Sequence, residues 1–330
     1  MKKKLFAVVI ILALFIGALA RYMSEFKSAT VFSMDTMITI KTTGNKKNLE
    51  YAKQEIERLD KIFNAYDKNS ELYEINRFGG KKLSREMAEI LNKSIEYSKL
   101  TDGNFDITLK NLKDLWDIGA ENPKIPAENE IKEALFKTGM NNLEINDGKA
   151  VLSGGIQLDL GAVAKGYATD VISGGLKERG VKKFLLDLGG NIYAYSENKP
   201  LKIGIQNPFS TRGDTVCVLS ISDAAVVSSG FYERNFKVGE KVYHHILDPK
   251  TGYPANSGVS QVTIVGKNAA ACDAFSTAVA VSGLSLAQEL YKNGQDFEYM
   301  VVAQNKIYMS KGLYSKLLEV QDGFEVVVQQ

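Results

Sequence analysis

Ile156-Gln157-Leu158-Asp159-Leu160-Gly161-Ala162-Val163-Ala164-Lys165-Gly166-Tyr167-Ala168-Thr169-Asp170 is the stretch on which the fold of this chain turns. Its residue types describe a strand that runs through a tight turn into a helix. Asp159 falls at the strand end, where mixed folds often carry a functional carboxylate. Small residues at 161, 162, 164, 166 and 168 let a ligand or a second backbone come close. The same residues equally suit plain helix-on-sheet packing, with Lys165 and Asp170 left in water.

Toward the C-terminus the texture is one of short apolar strands broken by glycines. Residues 183–188 and 191–195 flank the turn Gly189-Gly190, and further strands are expected at 201–205, 216–221, 224–228, 261–265 and 299–308. Helices are expected at 163–179, 269–282 and 284–292. Toward the N-terminus, residues 30–43 are rich in β-branched and apolar side chains and predict one strand, ended by Gly44-Asn45. Ile56, Leu59, Ile62 and Phe63 recur at helical spacing over 49–63, and Ser84 offers an N-cap for a helix over 84–100. Strands and helices mixed in this way predict an α+β fold with mixed, largely antiparallel sheets and packed helices. Neither GxGxxG nor GxxxxGK[ST] occurs, so phosphate recognition by those loops is excluded.

The bulk numbers narrow the classes further. At 330 residues, 45% hydrophobic and 24% charged, the chain can bury a sizeable core. Its formal charge is only +2, with basic residues in isolated pairs such as Lys46-Lys47, Lys81-Lys82 and Lys182-Lys183, which argues against nucleic acid as a partner. Cys217 and Cys272 have no metal-ligand or redox spacing, and no disulfide framework is implied. Met1-Lys2-Lys3-Lys4 followed by the apolar run 5–20 has the form of an export signal, with Ala18-Leu19-Ala20 as a small-x-small site before Arg21. Uncleaved, the same 16 apolar residues would serve as a membrane anchor, with the lysines on the cytoplasmic side and the rest of the chain outside. No cysteine follows the run to accept a lipid. The expected organisation is therefore a signal or anchor over 1–22 and one folded unit over 30–330.

Several residues carry chemistry. Asp273 and Thr277, at i and i+4 on an expected helix, put a carboxylate and a hydroxyl on one face, a hard-oxygen pair suited to Mg²⁺ or Ca²⁺. Helix initiation by the Asp and back-bonding by the Thr would explain the pair equally well. His244 and His245 are the only histidines, and in extended backbone only one of them can face a given site. One site-facing imidazole could act as general base. Asp248-Pro249-Lys250-Thr251-Gly252 is a turn signal. Tyr66 and Phe105 are aromatics in loop-like settings, able to stack on a flat heterocycle or to fill core.

Seven collinear segments then resemble the ApbE family, the FAD:protein FMN transferases: Met34-Asp35-Thr36, Ser70-Glu71-Leu72 through Asn76, Gly103 through Thr108, Asp159 through Gly166, Leu188-Gly189-Gly190-Asn191, His245 through Gly252, and Asp273-Ala274-Phe275-Ser276-Thr277-Ala278. They span about residues 31–280. The resemblance implies an ApbE-like, T-fold-related architecture and a divalent ion, Mg²⁺, held by Asp273, Thr277 and the Ala162 carbonyl on the FAD pyrophosphate. It implies that Met34, Tyr66, Asn104, Phe105, Asp106, Asp159, Lys165 and Leu247 line the FAD. By the same resemblance FAD is the substrate, and its FMN half passes to a Ser or Thr hydroxyl of an acceptor protein with release of AMP. His245 is the candidate for taking the hydroxyl proton, and Asp248 is either its orienting partner or a turn residue. Water as nucleophile would make the chain an FAD pyrophosphatase, and no turnover would make it a flavin-binding protein. The customary acceptors are extracytoplasmic electron-transfer subunits. A flavinylation stretch of the Asp-Gly-x-Ser/Thr-Gly-Ala-Thr kind is absent from this chain, which argues against self-modification. Asp35 stands where the family often has Gly, and Lys165 where some members have Glu.

Overall fold

The computed structural model describes residues 25–79, 82–211 and 213–329. The expected signal or anchor over 1–22 lies outside these residues. Among them no helix is long and apolar enough to cross a membrane.

The strands are β1 (Lys27–Ser33), β2 (Thr36–Thr42), β3 (Leu143–Asn146), β4 (Lys149–Leu152), β5 (Lys183–Leu188), β6 (Asn191–Ser196), β7 (Leu201–Gln206), β8 (Thr215–Ile221), β9 (Asp223–Gly230), β10 (Asn235–Val238), β11 (Lys241–His244), β12 (Gln261–Gly266), β13 (Phe297–Ala303), β14 (Lys306–Ser310), β15 (Leu317–Val320) and β16 (Glu325–Gln329). The helices are α1 (Lys47–Phe63), α2 (Glu71–Phe78), α3 (Arg85–Leu100), α4 (Lys110–Trp116), α5 (Glu128–Phe136), α6 (Ala164–Glu178), α7 (Ala269–Ser282), α8 (Leu284–Lys292) and α9 (Lys311–Tyr314). A nine-stranded sheet runs β1-β2-β5-β6-β9-β12-β13-β14-β16, antiparallel throughout except for the parallel β14–β16 pair. A three-stranded sheet, β15-β8-β7, and two hairpins accompany it. The expected α+β class with largely antiparallel sheets is what the chain adopts.

The large sheet is buried on both faces, and β5 shows how period-2 alternation serves both. Phe184, Leu186 and Leu188 point into a core shared with α1, α3, α6 and α7, whereas Leu185 packs against a second core built from Ile203, Ile205, Leu219, Val226 and Met300. Helix α7 is the most deeply embedded. Its Ala-rich sequence is buried along most of its length, and Asn268 caps it by accepting from the Ala271 amide at 2.9 Å.

Two expected strands are hairpins instead. Residues 30–43 turn at Met34-Asp35, with φ of 49° and 60°, so Ser33 pairs with Thr36 across a two-residue loop. Residues 299–308 reverse at Gln304, φ 54°, between β13 and β14. Neither turn carries a glycine, which is why composition alone reads straight through them.

Candidate active site

The site forms where α6 meets α7. The Gly166 amide of α6 donates to Asp273 Oδ2 of α7 at 2.9 Å. A Cβ on Gly166 would lie 2.3 Å from the Ala269 carbonyl oxygen, so only glycine permits this approach. The consequence for Ala162 follows from helix geometry. Gly166 is the third residue of α6, so its amide has no partner within the helix and is free to serve Asp273, and among the described residues no hydrogen bond ends on the Ala162 carbonyl just before the helix. Thr277 Oγ1 donates to the Asp273 carbonyl at 3.2 Å, which leaves its lone pairs free to accept a cation. The back-bond expected of a structural threonine is thus present, and it is compatible with ligation.

Burial pushes the Asp273 carboxyl above its usual range, against the pull of the Lys165 ammonium, the Gly166 amide and the Asn191 side chain. Asn191, at the start of β6, is fully buried, yet neither polar atom of its amide makes a hydrogen bond of normal geometry. A buried carboxylate, an unbonded carbonyl, a hydroxyl with open lone pairs and an orphaned amide fit a hard divalent cation with phosphate oxygens. Among the described residues no cluster of three or more His, Cys, Asp or Glu occurs.

The turn entering α6 is held by Asp159. Its Oδ1 accepts from the Gly161 amide at 2.8 Å and from Lys113 Nζ at 2.5 Å. Burial alone would raise this carboxyl, but Lys113, the Gly161 amide and Lys110 outweigh it and hold the group below the usual range. The strand expected before this turn is instead an extended segment with one isolated bridge, Gln157 to Leu109, and Asn76 fixes it through paired bonds to Leu158, 2.8 Å to the carbonyl and 2.7 Å from the amide. Lys165 Nζ donates to the Gly161 carbonyl at 2.9 Å. Asp170, which one reading leaves in water, instead accepts from the Ala269 and Ala270 amides at 2.7 and 2.9 Å and anchors the start of α7.

The two histidines face opposite ways, as extended backbone requires. His244 is buried, donates through Nε2 to the Ala255 carbonyl at 2.9 Å and stacks on Phe231 at 3.8 Å. His245 Nδ1 lies 3.3 Å from the Arg234 carbonyl. A carbonyl only accepts, so Nδ1 carries the proton and Nε2 keeps its lone pair. Enclosure by protein, then the charge of Lys113, push this imidazole down to about 3. Solvent contact of part of the side chain moderates the push without reversing it. Asp248 uses both carboxylate oxygens inside its own turn, on the Lys250 amide at 2.8 Å and the Thr251 hydroxyl at 3.1 Å. It is the turn residue, and the partner of His245 is the Arg234 carbonyl. Trp116 of α4 donates to the Gly252 carbonyl at 2.8 Å and ties this turn to α4.

The remaining expected residues divide. Phe105 is fully buried and packs edge-on against Tyr97 with ring centroids 6.2 Å apart, so its ring cannot stack on a ligand. Leu247 buries its side chain with Leu112 and Trp116. Asn104 donates to the Thr101 carbonyl at 2.7 Å, and Asp106 accepts from the amide and hydroxyl of Thr108, both at 2.6 Å. Asn104 and Asp106 brace the 101–108 loop through these bonds, both of those to Asp106 falling on Oδ1, and Leu247 belongs to the separate turn of residues 245–252. Tyr66 is 60% exposed, with its hydroxyl on Asp114 at 2.8 Å and the Lys110 ammonium 4.4 Å from its ring centroid. Met34, at positive φ, packs half-buried against the helix-side core. Lys110 and Lys113, at i and i+3 on α4, are site residues outside the quoted motifs, because their partners Tyr66 and Asp159 lie far along the chain.

This arrangement defines a class, an α+β protein with an oxygen-lined candidate cation site where two helices meet. The ApbE family's sequence model matches residues 34–301, and the chain belongs to the ApbE family. A Treponema pallidum protein named FAD:protein FMN transferase is 30% identical over 250 residues, covering 69% of each chain. A Klebsiella pneumoniae protein of the same name is 27% identical, covering 83% of this chain and 88% of its own. Among solved structures, the ApbE protein of Thermotoga maritima superposes with a TM-score of 0.82 at 28% identity, over 89% of this chain and all of that one. The flavin transferase ApbE of Vibrio cholerae shares the fold, with a TM-score of 0.78 at 24% identity.

Proposed function

We propose that this chain is an FAD:protein FMN transferase that acts outside the cytoplasm, on an exported or membrane-bound electron-transfer protein, and attaches FMN to a Ser or Thr hydroxyl. The observation that carries this reading is the 2.9 Å bond from the Gly166 amide to Asp273 Oδ2, which brings the carboxylate to the first turn of α6, whose entry carries the unbonded Ala162 carbonyl. The shared name of the family relatives supports the choice of FAD and of a protein acceptor. The lysine-led apolar N-terminus supports export or anchoring.

Asp273, Thr277 and the Ala162 carbonyl would hold Mg²⁺, which when bound neutralises charge on the diphosphate. The chain's own groups do the rest. His245 Nε2 accepts the proton of the acceptor hydroxyl, whose oxygen forms a bond to the FMN-side phosphorus as the bond to the bridging oxygen breaks and AMP departs. Lys165, bonded to the Gly161 carbonyl, offers a cation beside Asp273. Tyr66 offers an exposed ring for stacking.

Mass spectrometry after incubation with FAD, Mg²⁺ and a candidate acceptor tests the reading. An acceptor mass gain equal to FMN, lost in His245→Ala, is expected. Free FMN and AMP without acceptor modification would make the chain a pyrophosphatase, and unchanged FAD would leave a binding protein.

A further inference from the structure

Lys113 touches two parts of the site. Its Nζ lies 2.5 Å from Asp159 Oδ1, the same oxygen that accepts from the Gly161 amide at 2.8 Å. A Cβ on Gly161 would lie 2.9 Å from Asp159 Oδ1 and 3.2 Å from Lys113 Nζ, so the ammonium sits directly against the turn that leads to Ala162. Lys113 is also the strongest charged influence on His245. Its side chain is 35% exposed, whereas that of Asp159 is only 9% exposed. An ion pair between two surface groups would mean little, but one buried partner changes the case, because removal of the cation leaves a buried carboxylate uncompensated.

We infer that Lys113 is a positioning residue of this site, fastening Asp159 to the turn that presents the Ala162 carbonyl. The inference rests on the proposed reaction, since a diphosphate is the anion such a placement would receive. The charged and titratable groups that act on His245 are Lys113 from α4, itself paired with Asp159, the neighbouring His244, and Arg234. The Arg234 guanidinium is itself paired with Asp35 of the β1–β2 turn at 2.7 Å. Lys113 is the one of these cations that also grips the α6 turn, so its removal should move two readouts together.

The test compares the full chain with Lys113→Met and Lys113→Arg. With only two histidines, both imidazoles can be followed by NMR through a pH titration without FAD. Lys113→Met is expected to raise the His245 midpoint by about one unit and the Km for FAD about tenfold, with a smaller change in kcat. Lys113→Arg should return both toward wild type. A His245 midpoint and a Km both unchanged in a folded Lys113→Met protein overturn the inference. If Lys113→Met does not fold, Lys113→Gln is read against the same two outcomes. A wild-type chain that transfers no FMN overturns the reaction but not this placement, which the imidazole titration then decides alone.

Discussion

Gly166 and Ala269 stand so close that a single methyl group cannot fit between them: a Cβ at 166 would come within 2.3 Å of the Ala269 carbonyl oxygen. The proposed cation site depends on this contact, because it is what lets the Gly166 amide reach Asp273. Gly166→Ala is therefore expected to push α6 and α7 apart at a cost of about 1–3 kcal/mol. The Mg²⁺ requirement should rise disproportionately. Thermal unfolding with and without Mg²⁺ checks this, and an alanine variant with wild-type Mg²⁺ dependence would show that the helices do not set the site.

Asp273 yields a separate expectation. Asn at 273 keeps an oxygen for the Gly166 amide and removes a carboxyl that burial already disfavours in its charged form. Asp273→Asn should fold about as well as wild type yet show no rise in Tm with Mg²⁺, since stabilisation by a ligand follows its occupancy of the folded state. Chelation should abolish FMN transfer in wild type, and Mg²⁺ should restore it. A Tm rise of wild-type size in Asp273→Asn would take the carboxylate out of the cation site.

His245 and Asp170 pull stability in opposite directions with pH. His245 is held near 3 against an unfolded value of 6.5, so its contribution is full above 6.5 and fades as pH falls toward 3. Burial raises Asp170 to about 6, against the amides of Ala270 and Ala269, from an unfolded value of 3.8. Its contribution is full below 3.8 and is lost as pH rises through about 6. Relative to wild type, Asp170→Asn should gain stability as pH rises from 4 to 6, and His245→Asn as pH falls over the same range. Urea unfolding across that window measures both, and parallel pH profiles for all three proteins would contradict the assignment. Activity should show no acid limb near 6.5, because the imidazole is already neutral there.

Much of this was legible in residue order. The apolar periodicity of α1 and α3, the small apolar run of α7 and the glycine-flanked β5–β6 pair stand where the sequence puts them, because long segments of one texture follow their own pattern. Short turns at positive φ without glycine, such as Met34-Asp35, carry no compositional mark. Within the site, Asp273 and His245 were readable from residue type, since a carboxylate on an Ala-rich helix and one of a pair of extended histidines stand out. Lys113 was not, because its meaning lies in Asp159, 46 residues along the chain. Phe105 misled for the opposite reason: a turn-like neighbourhood suggests exposure, whereas the ring enters the core beside Tyr97.

That difference between two aromatics makes the last expectation. Phe105→Ala removes a fully buried ring and should cost about 3–5 kcal/mol, with FAD affinity falling only as far as the loop loosens. Tyr66→Ala removes an exposed ring, so stability should change little. If Tyr66 stacks on the flavin or the adenine, the same change should weaken FAD binding about tenfold, in keeping with about 1–3 kcal/mol for stacking of a base on an aromatic ring. Tyr66→Phe keeps the face and loses only the hydroxyl bond to exposed Asp114, so it should bind FAD nearly as well as wild type. FAD titration by fluorescence quenching separates the three variants. Unaltered affinity in Tyr66→Ala would mean that Tyr66 is a partner for Lys110 and Asp114 and not a platform for the substrate.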